Sequence, residues 1–181
     1  MWISGPFSFV VGFTGHSIIP SLVVPHLINF VRDVTCFDDD LWESLVKAFT
    51  HDHRVASVTD VVLIYREKGN IHSRSLVYSN PLSRPWGLNP RCANPQCFSL
   101  PGNIAFRVSK SRRGDGNHQF TSCECVACGW RSDFLERPAW VHTTPQRFYF
   151  WHDFPLSWEQ KNCFTFRMKP QASSCHDGGC L

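Results

Sequence analysis

Four cysteines constrain this chain more than any other feature. Cys92 and Cys97 are separated by four residues, Cys125 and Cys128 by two, and a long segment joins the pairs. Each short pair can sit on one tight turn. Two such turns brought together offer four sulfur ligands to zinc, which takes them as a tetrahedron with Zn–S near ~2.3 Å. The joining segment reads as the device that brings the turns together. Asn103 to Ser109 alternates apolar and polar residues like a strand. Ser111 to Asn117 holds the turn signal Gly114-Asp115-Gly116-Asn117, and Gln119 to Glu124 can be the returning strand. Gly129 follows the last ligand directly. A residue free to take left-handed backbone angles lets amide groups point at thiolate sulfur there. Cys123 is an alternative fourth ligand, because Cys123 and Cys128 repeat the spacing of the first pair. Cys125 is preferred for its two-residue knuckle.

Cys-x4-Cys, a hairpin, then Cys-x2-Cys-Gly resembles the zinc ribbon over about a quarter of the chain. The first pair departs from the two-residue spacer of many ribbons. The resemblance implies a structural Zn2+ and a hairpin used to contact nucleic acid or to dock a protein. Local charge points the same way. Residues 91–133 carry six Lys or Arg against three Asp or Glu, whereas residues 1–90 carry seven against eight. Arg107, Lys110, Arg112 and Arg113 crowd the hairpin beside Phe106, His118 and Phe120. Cations of this kind meet phosphates, and aromatic rings stack on bases. The formal net charge of +3 gives no general nucleic-acid signature. The expected function is therefore a zinc-binding module serving as a nucleic-acid-binding accessory protein. One alternative is a protein–protein interaction module, with Trp130, Trp140 and Phe148 to Trp151 as a partner surface or as packing. Another is the C-terminal piece of a larger enzyme with a purely structural zinc.

Nine cysteines could also mean a disulfide framework, which needs export. The N-terminus carries no Lys or Arg ahead of its apolar stretch, and His16, Pro20, Pro25, His26 and Asn29 interrupt that stretch. It suits neither a signal peptide nor a membrane span. The expected location is intracellular, nucleus or cytoplasm, where paired thiols bind metal. Cys163, Cys175, His176 and Cys180 form a second possible ligand group, read as unpaired thiols in a polar tail. Cys36 reads as a small buried residue.

The fold class is α+β. Residues 1–80 read as a small α+β unit, 81–90 as a Pro-rich linker, 91–133 as the ribbon module and 134–181 as an irregular aromatic-rich extension. Within the first unit, Phe7 to Gly12 reads as a buried strand. Pro20 to Val34 reads as a helix with Leu27, Ile28 and Val31 on one face. Leu41 to Phe49 reads as a helix capped by Asp38 to Asp40, with Leu41, Trp42, Leu45, Val46 and Phe49 on one face. Ser57 to Arg66 and Ile71 to Tyr78 read as strands around the turn Lys68-Gly69-Asn70. The segments Val58 to Arg66 and Arg84-Pro85-Trp86-Gly87 resemble uncharacterised proteins of mushroom-forming fungi, which implies no activity.

The chain offers no phosphate-binding glycine loop, nucleophile elbow or paired-carboxylate signature. His51-Asp52-His53 reads as a helix C-terminus, Thr14-Gly15-His16-Ser17 as a turn, and Asp60 as a solvated strand end. Arg113-Gly114-Asp115 matches an adhesion tripeptide by coincidence. The expectation leans away from a stand-alone enzyme.

Overall fold

The structure is a computed structural model, and it describes residues 9–15, 18–89, 92, 94, 96–97, 100–110, 119–132 and 135–162. It has helices and antiparallel sheets, the α+β class expected. Strand β1 (Phe9–Phe13) leads into helix α1 (Pro20–Cys36), where Pro sits at the first helical position and needs no hydrogen-bond partner. Helix α2 (Leu41–Thr50) starts at Asp40, whose carboxylate accepts the Glu43 amide. Its apolar residues recur at helical spacing, so Leu45, Val46 and Phe49 are buried and Leu41 and Trp42 partly so. Helix α3 (His53–Val58) is capped by Asp52, which accepts the Arg54 amide and pairs with its guanidinium. That pairing holds the Asp52 carboxyl well below the usual carboxylate range.

Strands β2 (Val61–Glu67) and β3 (Asn70–Tyr78) form a hairpin. Its turn takes positive φ at Lys68 and Gly69, as a two-residue hairpin loop requires. Strands β4 (Ile104–Lys110) and β5 (Gln119–Cys125) make a separate two-stranded sheet. Strands β6 (His142–Thr143) and β7 (Tyr149–Asp153) then rejoin the first sheet, whose order is β1-β2-β3-β7-β6. A short helix α4 (Trp158–Asn162) follows.

Antiparallel register sorts the large sheet into two faces, because directly opposed residues share a side. The first face carries Val61, Leu63, Tyr65, Leu76 and Tyr149 and buries them under α1, α2 and α3, with Phe30, Leu45 and Phe49 fully enclosed. The opposite face carries Val62, Ser75, Val77, Phe150 and His152. Trp86, Leu88 and Val141 pack there with Phe150, Trp140 and Leu156.

Several details differ from the sequence expectations. Helix α1 turns a different face inward: Val23 and Phe30 are buried, whereas Ile28 is 61% and Val31 43% exposed. Leu27 alone of the expected trio packs against the core. Residues 57 and 58 close α3 instead of opening β2, since Asp52 nucleates a helical turn that β-propensity alone does not foresee. Cys36 is exposed. Residues 85–87 are buried, in a stretch expected to link two units, and the 142–153 stretch, expected to be irregular, supplies two strands. Tyr149-Phe150-Trp151 is apolar on both sides because helices cover one face and residues 85–88 the other. Among the described residues, no helix is long and apolar enough to cross a membrane.

The start of β2 and the 84–87 stretch meet in space. Asp60 takes both terminal nitrogens of Arg84 at 2.7 Å each, a bidentate pair that is mostly shielded from solvent. The Thr14 hydroxyl donates to the same carboxylate. Asp60 is thus tied into the fold and is not a solvated strand end.

Candidate metal centre

The β4–β5 hairpin and two flanking turns build the centre. Asn94 shapes the first turn: its side chain accepts the Gln96 amide and its carbonyl accepts the Cys97 amide. This Asx turn takes up the extra length of the four-residue spacer. The second turn runs from Cys125 to Gly129, closed by the Gly129 amide on the Cys125 carbonyl. Gly129 has φ of 71°, the left-handed conformation expected for it. Hydrogen bonds from the Cys125 amide to the Trp130 carbonyl, and from the Val126 amide to the Asn103 carbonyl, fix this turn against the strands.

The turns bring Cys92, Cys97, Cys125 and Cys128 together, with all four ligand sulfurs within 4.8 Å of one another. Cys92 and Cys128 Sγ are 3.5 Å apart, and Cys97 and Cys125 Sγ 3.7 Å. A tetrahedron with Zn–S near ~2.3 Å sets its ligand sulfurs roughly 3.8 Å apart. A disulfide needs about 2.05 Å, so these are not bonded pairs. The group is therefore compatible with a zinc site. It takes Cys125, which is fully buried, and not Cys123. Cys123 lies two residues earlier on β5, opposite Phe106, in an apolar cluster with Ile104 and Cys125. Burial pushes its thiol pKa up.

Crowded thiols resist ionisation without a cation. Burial pushes the Cys92 thiol up to about 12, and contacts with the other three sulfurs add to this against an opposing Asn94 amide. A bound divalent ion inverts this balance and holds the sulfurs as thiolates. Ile104, Phe106 and Trp130 pack against the ligands, which suits a closed structural site better than a catalytic one with an open position.

The expected basic residues are placed unevenly. Arg107 projects from β4 with its side chain 74% exposed and reaches Glu124 at 3.2 Å. Arg131 shares the same carboxylate at 3.0 Å. Three charges thus leave one net positive. Phe106 is buried beneath them and not free to stack on a base. Lys110 ends β4. Arg112, Arg113 and His118 lie outside the described residues, as do His16, Cys163, Cys175, His176 and Cys180.

The other candidates do not assemble. His51 ends α2 and His53 begins α3, each exposed. The aromatics weighed as a partner surface are largely absorbed: Tyr149 is in the helical core, Trp140 and Phe150 pack on the opposite face, and Trp130 packs on the cysteine cluster. The residues missed from sequence are those that β7 brings to the sheet, above all His152. The four-residue apolar run Phe148 to Trp151 is the signal that marks a fully covered strand. The chain matches no family model, no curated protein and no solved structure at a significant level.

Proposed function

We propose that this chain is a zinc-binding protein whose metal holds the β4–β5 hairpin in shape to contact nucleic acid. The convergence of four sulfurs within 4.8 Å carries the metal part of the reading. Zinc is favoured because an all-sulfur tetrahedral set selects zinc or iron, and zinc is the structural choice at closed four-cysteine sites. Nucleic-acid contact rests on the exposed Arg107–Glu124–Arg131 row, the position of Lys110 at the strand end, and the further basic residues Arg112 and Arg113 in the sequence. Few cations are available, so binding is modest and falls steeply with salt.

The experiment combines metal analysis with oligonucleotide titration. One equivalent of zinc per chain is expected, lost when Cys97 or Cys128 becomes Ser. Visible absorption from iron, or metal-free protein with reactive thiols at all four positions, overturns the metal reading. Single-stranded oligonucleotide is expected to bind at low salt and to weaken when Arg107, Lys110, Arg112 and Arg113 are changed to Ala. An affinity that does not respond to these changes removes the hairpin from the function. A second reading, a protein-docking module, has one observation in its favour: α1 leaves Val24, Ile28 and Val31 exposed along one side.

A further inference from the structure

The sheet face turned away from the helices carries a cleft of about 710 Å³. Clefts of roughly 300–1,000 Å³ are the size that encloses a small organic ligand. Its lining divides by chemistry. Ser75 on β3 and His152 on β7 are opposed in register and buried, and both line the cleft. Beside them lie Asp60 and Arg84, whose bidentate pairing cancels their charges. Burial pushes the His152 pKa down, which favours the neutral ring. Its Nδ1 lies 2.8 Å from the Asp153 carbonyl oxygen. A carbonyl only accepts, so Nδ1 carries the hydrogen and Nε2 is left as an acceptor. This part of the cleft is polar and uncharged.

The outer part is different. Trp158 lines the cleft while remaining 78% exposed, so its flat indole lies at the rim. Lys161 lies three residues further along α4, on the same helical side, and also lines the cleft. With Arg84 neutralised, Lys161 is the cation of this lining outside an ion pair among the described residues. Cys92 contributes to the wall as well, but with a divalent ion bound the four thiolates would be net negative and would offer an anion nothing.

A purely apolar guest would strand the polar atoms of Ser75 and His152. Inorganic phosphate would meet one cation only. The division asks for a molecule with a flat, uncharged, N–H-bearing ring at one end and an anionic group at the other. We propose that this cleft binds a nucleotide, free or at the end of a strand, with its base toward Ser75 and His152 against Trp158 and its phosphate at Lys161. The site is separate from the β4–β5 hairpin and does not require that hairpin to touch nucleic acid.

The test is an NMR titration of the zinc-loaded full chain with UMP and AMP. Uridine, adenosine and ribose 5-phosphate serve as controls, and a 5′-phosphorylated trinucleotide is the strand arm. Saturable shifts at Ser75, His152, Trp158 and Lys161 are expected with the nucleotides, weaker ones with the nucleosides and none with ribose 5-phosphate. Lys161→Ala is a surface change and is expected to weaken the nucleotide about tenfold while leaving the nucleoside unchanged, as befits one charge-assisted contact. No saturable shift at these residues up to about 10 mM nucleotide, well above millimolar affinity, overturns the proposal. So does ribose 5-phosphate binding as tightly as UMP, or nucleotide affinity indifferent to Lys161. A trinucleotide that binds no better than UMP assigns the cleft to free nucleotides; tighter binding assigns it to strand ends. Arg107→Ala with Lys110→Ala leaves UMP binding intact, so failure of the hairpin reading and failure of the cleft are separately visible.

Discussion

Gly87 shows how far one hydrogen can decide a packing arrangement. A Cβ built there would lie 2.3 Å from Val77 Cγ2 and 2.5 Å from Val77 Cβ, and the residue has φ of +74°. Both the closeness and the backbone angle demand glycine. Gly87→Ala is expected to destabilise the protein by about 2–4 kcal/mol, from left-handed strain plus overpacking. Chemical denaturation measures this. Val77→Ala should not rescue it, since the Val77 Cβ already conflicts; rescue would show that the chain at 85–88 has room to shift. His152 makes a second prediction at this scale. Its folded pKa is lowered, so the folded state binds fewer protons than the unfolded one. Stability from keeping it neutral is complete above the ordinary value near ~6.5 and declines as pH falls through it. His152→Gln is expected to flatten the loss of stability between pH 7 and 5 relative to the unaltered chain. An unchanged pH slope would mean that the ring titrates normally.

Helix α1 teaches where pattern reading fails. Leu22, Val23, Val24, Leu27, Ile28, Phe30, Val31 and Val34 are apolar over most of its circumference. Periodicity fixes that a helix exists but not which side faces in. The decision comes from the sheet, where Phe9 meets Phe30 edge-on at 5.3 Å. Phe30→Ala should therefore cost about 3–5 kcal/mol, as for a fully enclosed ring, whereas Ile28→Glu should stay within about 0.5 kcal/mol. Equal costs in thermal unfolding would restore the face read from sequence. Helix α2 was legible because its polar and apolar sides are distinct and Asp40 announces its start. The hairpin and the four sulfurs were legible for a related reason, since local spacing encodes local turns. The pairing of β3 with β7 was not. Nothing in either strand specifies a partner that distant in sequence, and strand partners are chosen by the covered faces that remain to be buried.

At the scale of the whole molecule, the four-cysteine cluster and the large sheet share one wall. Cys92 lines the same cleft as His152 and Leu88, and Leu135 packs both on the cysteine cluster and on the Trp86 cluster. With zinc bound as proposed, its removal by a strong chelator is thus expected to lower the melting temperature of the sheet itself as well as to release the hairpin. Cys125→Ser should lower it similarly in zinc-replete buffer, since a structural site contributes folding free energy directly. Near-ultraviolet circular dichroism reports the tryptophans of the sheet. A melting transition for them that ignores the chelator would show two uncoupled bodies.

The Ser79 amide reaches the Phe148 carbonyl at 2.7 Å, just where Tyr78 pairs with Tyr149. The chain leaves β3 and comes back to the same spot after its long excursion. For a chain searching for its native pairing, that excursion is a loop whose ends must find each other, with an entropic cost that grows logarithmically with its length. A metal bridging Cys92 to Cys128 short-circuits about half of it, which spares roughly 0.6 kcal/mol at the closure step, or about threefold in rate. The zinc ion would then quicken the zipping of two strands that it never touches.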